Sequence, residues 1–181
     1  MRMTITLFVT AAVIVAVAAA LFFSAPAVAK PKEGEAAPAF SLRDQTGKTR
    51  SLADYNGRWL VLYFYPKNDT PGCTTEACSF RDDIFKFREM GVEVVGVSLD
   101  DVESHQAFAE KYSLPFTLLS DADQETAKAY GVLSKMGPMA YAKRETFIIA
   151  PDGTIAKHYE KVKPDEHSAQ VIKDVSALMA D

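Results

Sequence analysis

Short runs of apolar residues alternate along this chain with stretches whose apolar positions recur every three or four residues. Phe40 to Arg43 and Lys48 to Leu52, around the turn Asp44-Gln45-Thr46-Gly47, predict an N-terminal hairpin. Trp59-Leu60-Val61-Leu62-Tyr63-Phe64-Tyr65 reads as a buried strand, stopped by Pro66, which has no N–H to give to a sheet. After turn residues Thr70, Pro71 and Gly72, the spacing of Ala77, Phe80, Ile84, Phe87 and Met90 predicts one helix over 74–90. Further on come a strand at 92–98, an amphipathic helix at 102–112, an extended piece at 116–119 and a short helix at 124–130. Residues 146–150 and 154–158 form a hairpin around Pro151-Asp152-Gly153, and 165–180 closes the chain as a helix with Val171, Ile172, Val175 and Leu178 inward. This order is that of an α/β protein with a mixed central sheet and helices on both faces.

Ahead of these elements the pattern changes. Met1-Arg2-Met3 is a short positive start, Ile5 to Phe23 is an uncharged apolar run, and Ala27-Val28-Ala29 presents small residues before Lys30. Residues 1–29 therefore read as an export leader, with two fates open: cleavage after Ala29, or retention of residues 5–23 as an inner-membrane anchor. Either places the domain in the periplasm, where disulfides persist. Lys30 to Pro38 lacks periodicity and reads as a linker, leaving residues 39–181 as one domain.

Charge narrows the partners. Twenty basic and 24 acidic side chains give a net charge of −4, with no basic stripe for nucleic acid. His105, His158 and His167 are scattered without ligand spacing, and no Gly-rich phosphate loop is present, so neither a metal nor a bound cofactor is expected.

The chemistry then falls to the two cysteines. Cys73 lies at the start of the expected helix, where free N–H groups and the positive dipole end favour a thiolate, a nucleophile. Cys78 lies five residues on, a rise of about 7.5 Å and a rotation of about 500° along an ideal helix, which turns it away from Cys73. A disulfide between them would require the first turns to unwind.

Pro66, Thr70 and Cys73 make the pattern Pro-x-x-x-Thr-x-x-Cys, which resembles the peroxidatic signature of the peroxiredoxins. The longer run from Phe64 to Cys78, followed by Phe80-Arg81-Asp82, is similar to the bacterioferritin comigratory protein, or peroxiredoxin Q, subgroup. The likeness runs from about Gly34 to near the C-terminus and includes 91–98, 112–116 and 144–149. It implies a thioredoxin-like fold and a thiol peroxidase acting on hydrogen peroxide or organic hydroperoxides. It implies that Cys73 becomes a sulfenic acid, that Cys78 resolves it as an intramolecular disulfide, and that a thioredoxin-like dithiol reduces the pair again.

By the same resemblance Thr70, Arg144 and Pro66 complete the catalytic set. Thr70 would hydrogen-bond the reacting groups, Arg144 would hold thiolate and peroxide, and Pro66 would shield the sulfur from water. N–H groups near Gly72 and Cys73 would hold the peroxide oxygens. Glu76 is expected behind these groups, compatible also with a helix-capping carboxylate, and Arg81 on the helix surface. Lys143 competes with Arg144 for its role. The subgroup implies a monomer. Two rival readings stay open at this point: an exported thiol-disulfide oxidoreductase, disfavoured by the lack of Cys-x-x-Cys, and a redox-inert thioredoxin-like module.

Overall fold

The computed structural model describes residues 30–180. Among these residues, nine strands and five α-helices follow one another as β1 (Ser41–Asp44), β2 (Thr49–Ser51), β3 (Trp59–Phe64), α1 (Pro71–Asp82), α2 (Ile84–Glu89), β4 (Val92–Ser98), α3 (Val102–Tyr112), β5 (Thr117–Ser120), α4 (Glu125–Ala129), β6 (Leu133–Met136), β7 (Met139–Ala142), β8 (Glu145–Ile149), β9 (Ile155–Tyr159) and α5 (His167–Leu178). Seven strands make one mixed sheet in the order β2-β1-β5-β4-β3-β8-β9, in which β3, β4 and β5 run parallel and the outer pairs antiparallel. The expected N-terminal hairpin is β1–β2, and it extends the sheet beyond β5.

The two-residue period of β3 divides the core. Val61 and Tyr63 pack on one face with Phe80 of α1, Phe87 of α2, Phe108 of α3 and Val171 and Val175 of α5. Leu60, Leu62 and Phe64 pack on the other with Ala127 of α4, Tyr130 and Phe147. Buried on both faces, the central strands are the near-continuous apolar runs read from the sequence.

Two expectations are corrected. The helix over 74–90 is two helices: α1 begins three residues earlier, at Pro71, and ends at Asp82, and α2 starts at Ile84 after Asp83, whose backbone (φ −95°, ψ 4°) leaves the helical region. The carboxylate of Asp83 accepts from Ser168 and Lys86, and that tether holds the junction. Ala77, Phe80, Ile84 and Phe87 all reach the core across the break, so the apolar spacing carried no sign of it.

The segment 30–38 is no loose linker. Gly34 N–H donates to Ile155 O (2.8 Å), Ile155 N–H to Glu35 O (2.9 Å), Ala37 N–H to Gly153 O (2.9 Å), and Tyr130 OH to Pro38 O (2.9 Å). It pairs the outer edge of β9, whose backbone groups would otherwise be open.

The stretch around Met136-Gly137-Pro138-Met139 is the tip of a separate hairpin, β6–β7, turned by Gly137 at φ +60°. The leader reading falls on residues 1–29, outside the described residues. Among the described residues no helix is long and apolar enough to cross a membrane.

Candidate active site

The site lies at the C-terminal end of β3, where parallel strands of open α/β sheets deliver their loops. β3 runs through Tyr65 and Pro66 into residues 67–70, and Thr70 caps α1 with Pro71 in the first helical position. Cys73 is the third helical residue and is buried. The first bond of the helical ladder joins Thr74 N–H to Thr70 O (2.9 Å), so the N–H groups of Gly72 and Cys73 precede it at the positive end of the helix. The placement expected from the turn residues is therefore the placement found.

The loop before the helix is bolted to α3. Asn68 is buried: its N–H donates to Asp100 (2.8 Å), its Nδ2 to Ser104 Oγ (2.9 Å), and its Oδ1 accepts from Tyr65 OH (2.7 Å). Buried His105 meets the same group through Nδ1, 3.2 Å from Asn68 Nδ2, and burial holds that imidazole below its ordinary pKa. Asp69 adopts φ +61° and accepts from Lys111 (2.7 Å) and Tyr112 OH (2.6 Å). Asn68 and Asp69 were legible as part of the motif but not as the anchors they are.

Arg144 arrives from the opposite direction. The antiparallel register pairs Phe64 with Glu145, so the residue before Glu145 stands beyond the end of β3, beside the helix start. There Arg144 Nη2 donates to Cys73 Sγ (3.1 Å) while Nη1 donates to the carboxylate of Glu76. Its planar fork thus spans two groups on α1 from two separate nitrogens, a geometry that the single ammonium of a lysine lacks. Lys143, the competitor, is exposed, with its N–H on Val132 O (2.8 Å).

Glu76 is closer to the chemistry than a capping role requires. It is fully buried, one oxygen rests on Arg144, and Oε1 has no hydrogen-bond partner among the described residues. Burial opposes its charge more than Arg144 supports it, and the carboxyl is pushed up to about 7. Thr70 donates its hydroxyl to Lys67 O (3.0 Å), and among the described residues no hydrogen bond joins it to Cys73. Pro66 lies half-buried in the wall of an open groove of about 470 Å³ with Lys67, Leu99, Met136, Met139 and Tyr141.

Cys78 is free and half-buried farther along α1, and Cys73 is also free. Arg81 donates to Asp82 and to Tyr112 O (2.8 Å), the structural role expected of it. Sequence reasoning gave no role to His167, whose Nε2 lies 2.8 Å from Thr146 Oγ1 and whose ring packs edge-on against Phe80. Burial and the nearby Arg144 charge push it down to about 4, so it stands neutral near the guanidinium. Among the described residues no three His, Cys, Asp or Glu side chains gather where they could hold a metal.

The pattern of the AhpC/TSA family matches residues 34–158. The chain belongs to the AhpC/TSA family. Within that family its relatives carry the peroxiredoxin Q and bcp names. A putative peroxiredoxin bcp of Coxiella burnetii is 46% identical over 143 residues, covering 77% of this chain and 95% of the relative. The chloroplastic peroxiredoxin Q of Suaeda salsa is 43% identical over 157 residues, covering 86% and 73%. The crystal structure of a cysteine-to-serine variant of Xylella fastidiosa PrxQ superposes with a TM-score of 0.79 at 32% identity, covering 83% of this chain and 99% of that one. This peroxiredoxin thus has the expected thioredoxin-like fold, and its activity is that of a thiol-dependent peroxidase.

Proposed function

We propose that Cys73 is the peroxidatic nucleophile of this enzyme and that Cys78 resolves it. The observation that carries the assignment is the guanidinium of Arg144 on Cys73 Sγ at a helix start. The Cys73 sulfur attacks one peroxide oxygen, the O–O bond breaks, and the leaving oxygen departs as water or alcohol after taking a proton. N–H groups of Gly72 and Cys73 face the charge that builds on that oxygen, with Thr70 at the same helix start. Hydrogen peroxide and organic hydroperoxides are both substrates of this chemistry.

Cys73 sulfenic acid then reacts with the Cys78 thiol. The S–S bond forms as the Cys73 S–O bond breaks, and the hydroxyl leaves as water with the thiol proton. A thioredoxin-like dithiol reduces the disulfide. Cys73→Ser is expected to abolish peroxide turnover, and substantial remaining turnover would overturn the assignment. Cys78→Ser is expected to leave one fast reaction with peroxide and, by mass spectrometry of the 73 and 78 peptides, a sulfenic acid with no intramolecular disulfide. A disulfide in the wild type that excludes Cys78 would remove it from the cycle.

We further propose that the enzyme is an exported monomer, working in the periplasm either free after cleavage near Ala29 or held by residues 5–23. The charge pattern of the leader and the Ala27-Val28-Ala29 site support export. Fractionation with N-terminal sequencing tests it, and a cytoplasmic protein starting at Met1 would overturn it. Sedimentation of the reduced protein tests the monomer.

A further inference from the structure

A buried carboxylate sits between the two cysteines, and the peroxidase cycle as described gives it no task. Glu76 belongs to α1, three residues after Cys73 and two before Cys78, inside the segment that must unwind for the sulfurs to meet. Its side chain is wholly withdrawn from water. One oxygen receives Arg144, and the other receives nothing from the described residues. A charged carboxylate with an unsatisfied oxygen is costly inside a protein and comfortable in water. Its partner Arg144 directly precedes β8, a strand paired on both sides, and so is anchored in the sheet and not in α1.

We propose that Glu76 is a positioning residue for the resolving step: ionised, it favours the unwound form of α1 in which Cys78 reaches Cys73, and protonated, it favours the wound form that receives peroxide. This inference rests on the assignment of Cys73 and Cys78 above. Glu76 touches no reacting atom and acts through the helix that carries it.

The surroundings decide the direction. Around Glu76 stand Cys73 on its own helix, Arg144 from the start of β8, and the rings of Tyr63 and Tyr65 from β3 and its end, with neutral His167 of α5 on the far side of Arg144. Arg144 is the one cation of this set, and burial outweighs it, leaving the carboxyl up at about 7 in the wound helix. Unwound and hydrated, the same group returns toward the ordinary glutamate value of about 4.3. Below both values Glu76 is protonated in either form, and the wound form keeps its full advantage. As pH rises between them, only the open form ionises, so the wound form progressively loses its advantage and has lost it fully above about 7. Across this window the open fraction rises on the order of a hundredfold.

Disulfide formation is itself pH-dependent chemistry, so the rate of disulfide closure alone does not isolate Glu76. Comparison with Glu76→Gln does, because the amide has the same shape and no charge to gain, and the pH dependence of the thiol chemistry cancels in the ratio. The full chain is reduced, mixed with hydrogen peroxide, and quenched for mass spectrometry from pH 5 to 8, giving separate rates for sulfenic acid formation and disulfide closure. The closure rate of the wild type divided by that of the E76Q variant is expected to climb at least tenfold across that range. A flat ratio overturns the proposal.

Hydrogen exchange of the reduced wild type supplies a second readout that needs no variant. After correction for intrinsic exchange, opening of α1 relative to α3 is expected to rise with pH from 5 to 8, and an unchanged ratio likewise overturns the proposal. Failure of the enzyme assignment looks different: no sulfenic acid forms at any pH.

Discussion

The guanidinium of Arg144 donates to Cys73 Sγ across 3.1 Å although the two residues stand 71 positions apart. The same fork reaches Glu76, so one side chain from the sheet fixes two points on α1. Arg144→Lys removes the fork but keeps the charge. We expect the second-order rate with hydrogen peroxide to fall about a hundredfold, the size of effect seen when one preorganised donor is lost at a developing charge. Stopped-flow fluorescence of Trp59 in single turnover reads this rate. A lysine variant within threefold of the wild type would show that charge alone suffices.

Gly72 leaves room for that fork. A Cβ at this position would stand 3.2 Å from Arg144 Nη2. Gly72 has an ordinary helical backbone, so alanine should leave stability unchanged or raise it by a few tenths of a kcal/mol while crowding the guanidinium. The expected result for Gly72→Ala is a thermal midpoint at or above the wild type with a peroxide rate reduced about tenfold. Loss of both together would point to general damage instead.

Gly96 makes the opposite case, a glycine required by packing under the site. In β4 a Cβ there would lie 2.7 Å from the Tyr63 hydroxyl and 2.9 Å from Leu118 Cδ2. Both neighbours are buried and Tyr63 stacks on Phe80, so neither can withdraw. Gly96→Ala should cost about 1–3 kcal/mol in urea unfolding, the usual penalty of overpacking a core. A change below about 0.5 kcal/mol, the size expected of a surface substitution, would mean that Tyr63 is freer than its packing indicates.

On the sheet's other face, Glu145 is buried and accepts from Lys30 (2.7 Å) and His158 Nε2 (2.7 Å). Burial works against its charge, but the hydrogen bonds from His158 and Lys30 prevail and hold its pKa below the usual glutamate value. A depressed carboxylate stabilises the fold above the unfolded pKa and loses that contribution as pH falls through the folded one. Lys30→Ala should therefore destabilise the protein by on the order of 1 kcal/mol near pH 7, with the difference from the wild type shrinking below about pH 4. Urea unfolding at pH 7 and at about pH 3 tests this, and a difference independent of pH would remove the ion pair as its cause.

The helix start at Cys73 was legible because turn residues and an apolar face announce it locally, and α3 was legible from end to end because Phe108 and Tyr112 keep one period. Arg144 was placed by resemblance alone. What delivers it is the pairing of Phe64 with Glu145, a contact between distant segments that no local pattern encodes. The same holds for Lys30 and Glu145, and for His167 against Thr146. The hairpin β6–β7 escaped notice for another reason: its strands are short, and its tip residues Met136 and Met139 are 66% and 60% exposed, so they show no buried face. Glu76 was legible as a residue of the motif, but its isolation from water depends on β3 and β8 closing over it.

The break at Asp83 sets how far a disturbance in α1 can travel. Ser168 and Lys86 hold the Asp83 carboxylate, and beyond it α2 keeps Phe87 in the core. A continuous rod from residue 71 to residue 89 would tie any loosening near Cys73 to the burial of Phe87. With the rod divided, the unwinding proposed for the resolving step has a boundary at Asp83, and α2 can keep its place while α1 opens. A piece this short winds and unwinds in roughly a microsecond or less, so the movement of α1 is not itself the slow event in the proposed resolving step.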